Sequence, residues 1–465
     1  MNVASIFRDV LNEGANKDAL VFGGCHRYTF SDMAALISKY QKLFIREGVK
    51  NGDKIVFMIG LNADLYAAII AAMGLGAGVL MIEPWMPSKK IEQVITREKP
   101  SFYVHSFLGR IIGLKNSSLR QIPAWISTSK ASFELSGDIR YEEVSKDHTG
   151  MVAYTSGTTG TPKGVNRTHG ILADQVDVFR KYLVTKKDMD ELTMFPSFVL
   201  GNMASFKTSV VVPPNWNSSV IKKINRNCKN VGALTTAPAF LKKILDEKLF
   251  PSLKEVHLGG ALCDVSLAKK AIERGIEVTH VYGSSEAEPV TLCPAEKSIL
   301  KAKEKGHFQL TYLGEKVPEI ELKLEQDNTW VTGGHVSKLY LNDEKSNLLN
   351  KKKDQNGTVW HSMGDRLIDE GGLWFKGRSN QSLESFEAEQ KICEMLQNSC
   401  LFIDERAEGN ILIVDKSLKK REAEIKSIVK AFGLANAEIR KITRDKRHRS
   451  RIDRNVRTKK YEGKK

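Results

Sequence analysis

The chain has 465 residues, of which 41% are hydrophobic and 27% are charged, and its formal net charge is +16. These fractions are typical of a globular protein and exclude a disordered chain, a collagen-like chain and a small disulfide scaffold. Because single hydrophobic cores stop growing near about 250–300 residues, this length predicts more than one packing unit.

The N-terminal region alternates short apolar runs with amphipathic helical patterns. The chain starts without a long apolar core, so we expect no secretory signal. Residues 65–82 carry no charge, but three glycines divide their second half. This pattern predicts a buried helix, a glycine turn and a buried strand rather than a membrane span. Further strands are predicted at 55–59 and 101–105, with a helix at 89–98 between them in sequence.

The middle of the chain continues this alternation. The apolar runs predict strands at 209–212, 233–236, 255–258 and 278–282, and the periodic segments predict helices at 238–249 and 267–274. Strands that alternate with helices are typical of parallel sheets covered by helices. The sequence therefore predicts an α/β fold class for this region.

The pattern changes after residue 320, where turn dipeptides become frequent. They occur at 327–328, 333–334, 356–357 and 371–372. Short runs between such turns predict antiparallel strands. Beyond residue 378, predicted helices at 385–397 and 416–432 flank a β-run at 409–414. We therefore predict two domains, 1–378 and 379–465, of which the second is a small α+β unit.

Cysteine usage and the placement of charge bear on compartment and partners. Six scattered cysteines without a CxxC spacing exclude a zinc knuckle and favour reduced thiols in a cytoplasmic protein. Residues 441–465 hold 12 Lys or Arg against 3 Asp or Glu, which is +9 of the +16. Because a nucleic-acid footprint would spread over the fold, we expect no nucleic-acid partner. A nucleic-acid-binding arm is the weaker alternative, since Tyr461 is the one aromatic residue of this tail.

Segment 151–164 (MVAYTSGTTGTPKG) carries the strongest chemical signal. A β-like run enters a loop of glycine and hydroxyl residues, namely Thr155, Ser156, Gly157, Thr158, Thr159 and Gly160. Glycine lets backbone N–H groups turn onto an anion, and Lys163 adds charge suited to phosphate oxygens. Composition alone leaves a solvent-facing loop as an equal alternative. The Walker spacing is excluded, because Pro162 precedes Lys163 and Gly164 follows it.

Residues 154–164 resemble the phosphate-binding signature [YF]TSG[ST]TGxPKG of the adenylate-forming (AMP-dependent synthetase and ligase) superfamily, and all eleven positions agree. This family includes acyl-CoA synthetases, luciferases and peptide-synthetase adenylation domains. The resemblance extends over nearly the whole chain. It implies a large N-terminal domain of stacked α/β subdomains and a small mobile α+β C-terminal domain.

Further family motifs follow in the expected order. Residues 280–289 (HVYGSSEAEP) resemble the YG[ST]TE segment, which implies that Tyr282 stacks on adenine and that Glu286 binds Mg²⁺. The resemblance also assigns to nucleotide binding the residues Gly283, Ser284, Ser285, Gly260 and Ala261. Residues 363–378 resemble the TGD…GR element, which implies that Asp365 holds both ribose hydroxyls and that Arg378 supports the ribose or a phosphate.

Several segments look closest to the olefin β-lactone synthetase branch, which is also called fatty-acid ligase-like. They are 195–198, 286–290, 373–378 and 445–453, together with the residues that follow the phosphate loop. This branch implies a fatty or β-hydroxy fatty acid as substrate. The expected acyl pocket is formed by His169, Phe195, Pro196, Ser197 and Phe198.

The sequence departs from the family in its C-terminal part. Arg451 stands where the family has its catalytic Lys, and its planar guanidinium differs from a compact ammonium. Asn380 replaces a hinge Asp or Lys, and the stretch 380–389 is shorter than the family's hinge loop. This shortening argues against CoA as the acceptor.

The resemblance implies an enzyme that uses ATP and Mg²⁺ to activate a carboxylic acid as acyl-AMP with release of pyrophosphate. The expected catalytic residues are Lys163, Glu286 and Arg451. The second step stays open among β-lactone closure and transfer to the thiol of CoA or of a carrier protein. A fatty acyl-CoA ligase is one alternative, and a degenerate fold that binds nucleotide without turnover is another. We expect a cytoplasmic protein without stable membrane insertion.

Overall fold

The structure is a computed structural model that describes residues 1–13, 15–134, 136–155, 161–185, 188–213, 216–325, 327–406 and 409–442. The described residues form two compact units. The first unit comprises Met1–Ala233, Ser285–Glu288 and Thr332–His361, and the second comprises Leu234–Ser284, Pro289–Val331 and the described part of Ser362–Lys465. The division into domains 1–378 and 379–465 stays a prediction.

Ten strands lie wholly within the first 233 residues. They are β1 (Asp18–Phe22), β2 (His26–Thr29), β3 (Lys54–Met58), β4 (Gly78–Met81), β5 (Phe102–His105), β6 (Ala124–Ser127), β7 (Thr149–Thr155), β8 (Lys163–Thr168), β9 (Asp190–Thr193) and β10 (Ser209–Val211). The α-helices of this stretch are α1 (Phe7–Glu13), α2 (Phe30–Arg46), α3 (Ala63–Gly74), α4 (Ser88–Glu98), α5 (Phe107–Lys115), α6 (Ser117–Arg120), α7 (His169–Tyr182), α8 (Pro196–Ala204) and α9 (Ser218–Asn227). Short 3₁₀-helices are formed by Val3–Ile6 and Thr128–Phe133.

The remaining elements follow from residue 231 onward. The strands are β11 (Val231–Thr236), β12 (Glu255–Leu258), β13 (Glu277–Ser284), β14 (Ala287–Pro294), β15 (Tyr312–Gly314), β16 (Ile320–Glu325), β17 (Asn328–Gly333), β18 (Lys351–Lys353), β19 (Val359–Ser362), β20 (Asp365–Asp369), β21 (Leu373–Arg378), β22 (Leu401–Asp404), β23 (Ile411–Asp415) and β24 (Asn436–Arg440). The helices are α10 (Pro238–Asp246), α11 (Val265–Glu273), α12 (Ala295–Lys305), α13 (Glu344–Asn350), α14 (Leu383–Leu396) and α15 (Glu422–Ala431), with a 3₁₀-helix at Lys416–Arg421.

The first unit contains a six-stranded sheet with the order β6-β5-β3-β4-β7-β8. Its strands run parallel from β6 to β7, and β8 returns antiparallel to β7. All four residues of β5 are buried, as expected for a strand covered on both faces. The predicted alternation of parallel strands and helices is confirmed.

The uncharged segment 65–82 folds as its glycines predict. Every residue of α3 from Leu65 to Gly74 is buried, and β4 follows within four residues. Gly76 makes the turn with φ +72°, a left-handed conformation that glycine adopts without strain. In the described ranges, no helix combines the length and the apolarity that a bilayer span requires.

The second unit carries the antiparallel structure expected from the later turns. Strand β21 pairs antiparallel with both β15 and β20, and β12 pairs parallel with β13. A further sheet, β22-β23-β24, packs apolar residues against α14 and α15 around a core that includes Ile392, Leu412 and Ile428.

The prediction of one helix over 416–432 is wrong at its start. The Asp415 carboxylate accepts hydrogen bonds from the backbone N–H of Ser417 at 2.9 Å and of Ile442 at 2.9 Å. This cap begins a tight 3₁₀ turn, and the α-helical geometry starts only at Glu422.

Candidate active site

The antiparallel pair β7 and β8 fixes both ends of the glycine and hydroxyl loop. Lys163 opens β8, and its Cα lies opposite Thr155, the last residue of β7. The side chain of Thr155 lies outside the described residues, and so do Ser156, Gly157, Thr158, Thr159 and Gly160. Arg451 lies outside them as well.

The far end of the loop is anchored by Arg97 on α4. This guanidinium donates a hydrogen bond of 3.1 Å to the carbonyl oxygen of Pro162. It is itself held by Glu98 at 3.0 Å and by Asp343 at 3.2 Å. Because the Glu98 side chain is fully buried, this ion-pair network is protected from solvent screening. The backbone just before Lys163 is therefore rigidly placed.

A single aromatic ring, that of Tyr340, organises the polar groups of the first unit. The Lys163 ammonium lies 5.5 Å from its centroid and the Lys351 ammonium lies 5.1 Å from it. The His361 ring packs edge-on against it at 6.4 Å. Tyr340 is 2% exposed, so its hydroxyl needs an internal partner.

That partner is Glu286, whose Oε1 accepts a hydrogen bond of 2.8 Å from the Tyr340 hydroxyl. Residues around Glu286 are tied down by backbone contacts, because Ser337 N–H donates to the Glu286 carbonyl at 2.8 Å and Arg167 donates to the Ser285 carbonyl at 2.9 Å. Burial raises the pKa of the Glu286 carboxyl, but the charge of Lys351 and the hydrogen bond from the Tyr340 hydroxyl hold that pKa below its usual value. Glu286 is therefore ionised at neutral pH.

Within this cluster, Lys351 has a strongly lowered pKa. Burial, opposed by Glu286 and reinforced by the charge of Lys163, lowers the pKa of its ammonium to about 7. The ammonium donates to the carbonyl oxygen of Ser337. Burial also lowers the pKa of His361 to about 3, so its ring is neutral. Two ammonium groups and one carboxylate thus surround the Tyr340 ring, which leaves an excess of positive charge when Lys351 is protonated.

Local sequence explains how these groups meet. Asp343 caps α13 by accepting a hydrogen bond of 3.0 Å from Ser346 N–H. On that helix, Asn347 exchanges hydrogen bonds of 2.7 and 2.9 Å with the backbone of Tyr340. Asn350 then accepts a 3.4 Å hydrogen bond from Lys163, and the pairing of β18 with β19 sets Lys351 opposite His361.

In the second unit, Asp365 joins two of the predicted nucleoside-binding residues. Its Oδ2 accepts a hydrogen bond of 2.8 Å from the Tyr282 hydroxyl, and its Oδ1 pairs with Arg378. The pairing of β20 with β21 sets Asp365 opposite Arg378. Asp365 is 6% exposed and its two oxygens are held by Tyr282 and Arg378, so it is an anchored side chain at the head of β20.

The predicted glycine turn lies directly beside the strand of Tyr282. A Cβ atom at Gly259 would lie 3.1 Å from the Val281 carbonyl oxygen, so a larger residue would push the two apart. Gly260 has φ +81°, which favours glycine, and Ala261 follows it. Gly283 and Ser284 end β13, and Ser285 belongs to the first unit.

The residues predicted for the acyl pocket lie at the start of α7 and on α8, which Phe195 precedes as the N-cap. Phe198 packs against Phe179 and Phe195, with ring centroids 5.3 and 5.7 Å apart, while Pro196 and Ser197 are exposed. His169 is fully buried, and its Nδ1 accepts a 3.0 Å hydrogen bond from Val3 N–H. This contact ties the N-terminal segment to α7. A role of these five residues in binding an acyl chain stays a prediction.

The carboxylate and imidazole groups of the described residues bear on the magnesium ion that the resemblance implies. The described residues contain no group of three or more His, Cys, Asp and Glu side chains that could hold a metal ion. Mg²⁺ is usually bound by one or two carboxylates together with substrate phosphates. The ionised Glu286 fits that mode, in which phosphate oxygens complete the coordination.

Four residues of this site escape motif analysis, namely Arg97, Tyr340, Lys351 and His361. Lys351 lies in a run of three lysines, a pattern that predicts a solvent-exposed segment. A signal was nevertheless present, because the strand that precedes the motif at 363–378 needs a partner, and β18 is the strand before it in the chain.

Comparison with known proteins identifies the family. The family model described as "AMP-binding enzyme" matches residues 7–341. A 2-succinylbenzoate–CoA ligase of Bacillus subtilis (strain 168) is 26% identical over 381 residues, which are 77% of this chain and 74% of the ligase. A 4-coumarate–CoA ligase-like protein of Arabidopsis thaliana is 23% identical and covers 75% of this chain and 69% of its own length.

Solved structures show the same fold. O-succinylbenzoate coenzyme A synthetase (MenE) from Bacillus subtilis, in complex with AMP, superposes with a TM-score of 0.80 at 19% identity and covers 98% of both chains. A fatty acyl CoA synthetase of Mycobacterium tuberculosis superposes with a TM-score of 0.75 at 18% identity, covering 99% of this chain and 98% of that one. At such identities the likeness establishes the fold, a large N-terminal domain followed by a smaller C-terminal domain.

Proposed function

The chain belongs to the AMP-binding enzyme family and is an acyl-adenylate-forming ligase, and from this premise we propose that it activates a fatty or β-hydroxy fatty acid. A carboxylate oxygen of the acid attacks the α-phosphorus of ATP. A carboxyl–phosphate bond forms, the bond between the α-phosphorus and the bridging oxygen breaks, and pyrophosphate leaves. The observation that carries the activation step is the convergence of Lys163, Lys351 and Glu286 on Tyr340. The fatty or β-hydroxy fatty acid is supported by the sequence segments that resemble the β-lactone branch.

Lys163 and Lys351 supply the charge that this reaction needs. Negative charge increases on the departing pyrophosphate, and fixed cations stabilise it most where water is scarce. Both ammonium groups lie within 5.5 Å of the same ring centroid, so one polyphosphate chain is long enough to meet both. Relief of the repulsion between the two lysines adds to the binding of an anion there.

Glu286 is proposed as the carboxylate that holds Mg²⁺. When bound, the ion supplies Lewis-acid polarisation and neutralises phosphate charge. The chain's own contribution is to keep the carboxylate ionised and oriented. Tyr340 does so through its 2.8 Å hydrogen bond, and the backbone contacts of Ser337 and Arg167 fix the segment that carries it.

Asp365, Arg378 and Tyr282 are proposed to bind the nucleoside. An anchored carboxylate accepts two hydroxyl hydrogen bonds at once, which suits a ribose diol. The Tyr282 ring offers a flat face for stacking, and its hydroxyl is occupied by Asp365. Arg451 is proposed to reach the α-phosphate, in the role that a lysine has in the family.

Of the three acceptors that the sequence leaves open, the β-hydroxyl and CoA each have a specific observation in their favour, whereas a carrier protein has none. In β-lactone closure the β-hydroxyl oxygen attacks the acyl carbon of the acyl-AMP, the bond from that carbon to the phosphate oxygen breaks, and AMP and the hydroxyl proton leave. This closure is supported by the sequence segments that resemble that branch. Transfer to CoA is supported by the two relatives named above, of which one is a 2-succinylbenzoate–CoA ligase and the other a 4-coumarate–CoA ligase-like protein. Mass spectrometry of products formed from ATP, Mg²⁺ and a β-hydroxy fatty acid distinguishes them. A lactone that forms without CoA supports closure, and an acyl-CoA that forms only with CoA supports the ligase.

A further inference from the structure

Helix α5 displays an apolar face to solvent. The exposed fractions are 78% for Phe107, 70% for Leu108, 37% for Ile111 and 52% for Leu114. Their spacing of one, three and three residues places them on one side of a helix. Four large apolar side chains exposed on one nine-residue helix form a contiguous patch, which is unusual for a surface without a partner. We call this patch the α5 face.

The opposite side of α5 shows that these side chains are not needed to hold the helix. Gly109 and Gly113 face inward and let the helix approach the sheet closely. An added Cβ at Gly109 would lie 2.1 Å from the Met58 carbonyl oxygen, and one at Gly113 would lie 2.6 Å from the Trp125 ring. The Tyr103 hydroxyl also donates to the Gly109 carbonyl at 2.7 Å. Packing of the glycine side therefore holds the helix on the sheet. The apolar side chains of the α5 face do not contribute to that packing and are exposed to solvent.

The charged side chains of α5 and of the segment that follows it, up to residue 133, are all cations. Residues 99–133 contain no Asp or Glu and five Lys or Arg. Lys130 pairs with Glu47 at 2.8 Å, whereas Arg110, Lys115 and Arg120 are exposed. Arg120 donates to the Leu114 carbonyl at 3.2 Å, which keeps its guanidinium beside the end of α5. An apolar patch is thus bordered by cations.

We propose that the α5 face docks the protein reversibly on an anionic lipid surface. Apolar side chains of an interfacial helix enter the boundary between headgroups and acyl chains, and flanking cations meet anionic headgroups. A homodimer through two α5 faces explains the patch less well than a lipid surface does. A twofold axis would bring Arg110, Lys115 and Arg120 of one copy close to the same three cations of the other copy, which would repel them. The inference does not depend on the reaction that the protein catalyses.

Vesicle flotation of the full chain tests this surface. We expect binding to vesicles of phosphatidylcholine with phosphatidylglycerol to exceed binding to phosphatidylcholine alone by about tenfold, and to fall as salt is added. F107S/L108S should lower the binding to anionic vesicles by about tenfold. R110Q/K115Q should reduce the preference for anionic vesicles relative to the wild type, and the remaining preference is the part that Arg120 and the basic tail supply. The basic tail is intact in every variant, so its contribution is common to all.

The matched control is L300S/M395S, which removes two exposed apolar side chains on α12 and α14, 58% and 50% exposed. It should bind like the wild type, and all variants should keep the wild-type melting temperature, since the altered side chains are exposed. Equal binding of F107S/L108S and wild type overturns the proposal. Absence of vesicle binding overturns it too, and a concentration-dependent dimer that F107S/L108S dissociates would then assign the α5 face to a second copy.

Discussion

The Tyr340 hydroxyl donates a 2.8 Å hydrogen bond to Oε1 of Glu286, although 54 residues separate the two in sequence. Burial raises the pKa of the Tyr340 phenol far above its usual value, and Glu286 adds to that shift, so the hydroxyl is a donor at every accessible pH. This permanent donor fixes the orientation of the Glu286 carboxylate. This contact links the proposed metal ligand to the ring that both lysines share.

Tyr340→Phe should raise the Mg²⁺ concentration that the reaction requires, while the aromatic ring stays in place. A hydrogen bond to a charged group contributes about 1.5–3 kcal/mol, so its loss should raise the Mg²⁺ concentration for half-maximal rate by about tenfold or more. The measurement is the initial rate of pyrophosphate exchange against Mg²⁺ at saturating ATP. Tyr182→Phe, on the last turn of α7, is the control. An unchanged Mg²⁺ requirement in Tyr340→Phe would contradict the positioning role.

Lys351→Met should separate polyphosphate binding from nucleoside binding. Calorimetry should show affinity for Mg-ATP and for pyrophosphate reduced by about tenfold, with AMP binding unchanged, because AMP lacks the groups that the ammonium is proposed to meet. Asp365→Asn is the reciprocal variant, and it should weaken AMP. Lys352→Met, the next residue of the same strand, controls for removal of a charge. Equal losses for ATP and AMP in Lys351→Met would refute the assignment.

Buried histidines make stability depend on pH, and His257 and His280 are two of them. Burial lowers the pKa of His257 and of His280 to about 4, and both are 4% exposed. A histidine in the unfolded chain has a pKa of about 6.5, so the unfolded state binds more protons between pH 6.5 and 4. The stabilisation is complete above pH 6.5 and is lost as the pH falls through that window.

The expected loss at pH 5 is about 2 kcal/mol for each ring, relative to pH 7.5. Urea unfolding at the two pH values measures it. The variant H257N/H280N should be less stable at pH 7.5 but should lose less on acidification than the wild type. An identical pH dependence of both proteins would show that these rings do not carry it.

Gly109→Ala should destabilise the first unit, because its Cβ would lie 2.1 Å from the Met58 carbonyl oxygen and backbone must move. Overpacking of this kind costs about 1–3 kcal/mol. Gly60→Ala is the control, since nothing lies within 4 Å of its Cβ position. Thermal unfolding compares the two. A melting temperature of Gly109→Ala equal to that of the control would contradict the close approach of α5 to the sheet.

The parts of the fold that follow from local chemistry could be predicted from the sequence. Strand β12 falls on the predicted residues 255–258, because a short apolar run between polar segments has few alternatives. The helix and strand of 65–82 follow from glycine spacing. The start of α15 could not be predicted, because the Asp415 cap depends on where the backbone N–H groups of Ser417 and Ile442 lie in space.

The site divides in the same way. Lys163 lies in a motif that predicts phosphate binding, and Glu286 lies in a motif that predicts metal binding. Tyr340, Lys351 and His361 acquire their meaning only from strand pairing and from the helix between them. Burial lowers the pKa of Lys351 to about 7, which a sequence of three lysines gives no reason to expect.

ATP–pyrophosphate exchange with a panel of fatty and β-hydroxy acids tests the central claim most directly. The account predicts exchange that depends on the acid and that falls by more than about a hundredfold in K163A/E286A, because fixed positive charge and the metal ligand are both removed. A wild-type protein that binds ATP but shows no exchange with any acid would contradict it, and so would full exchange in that variant.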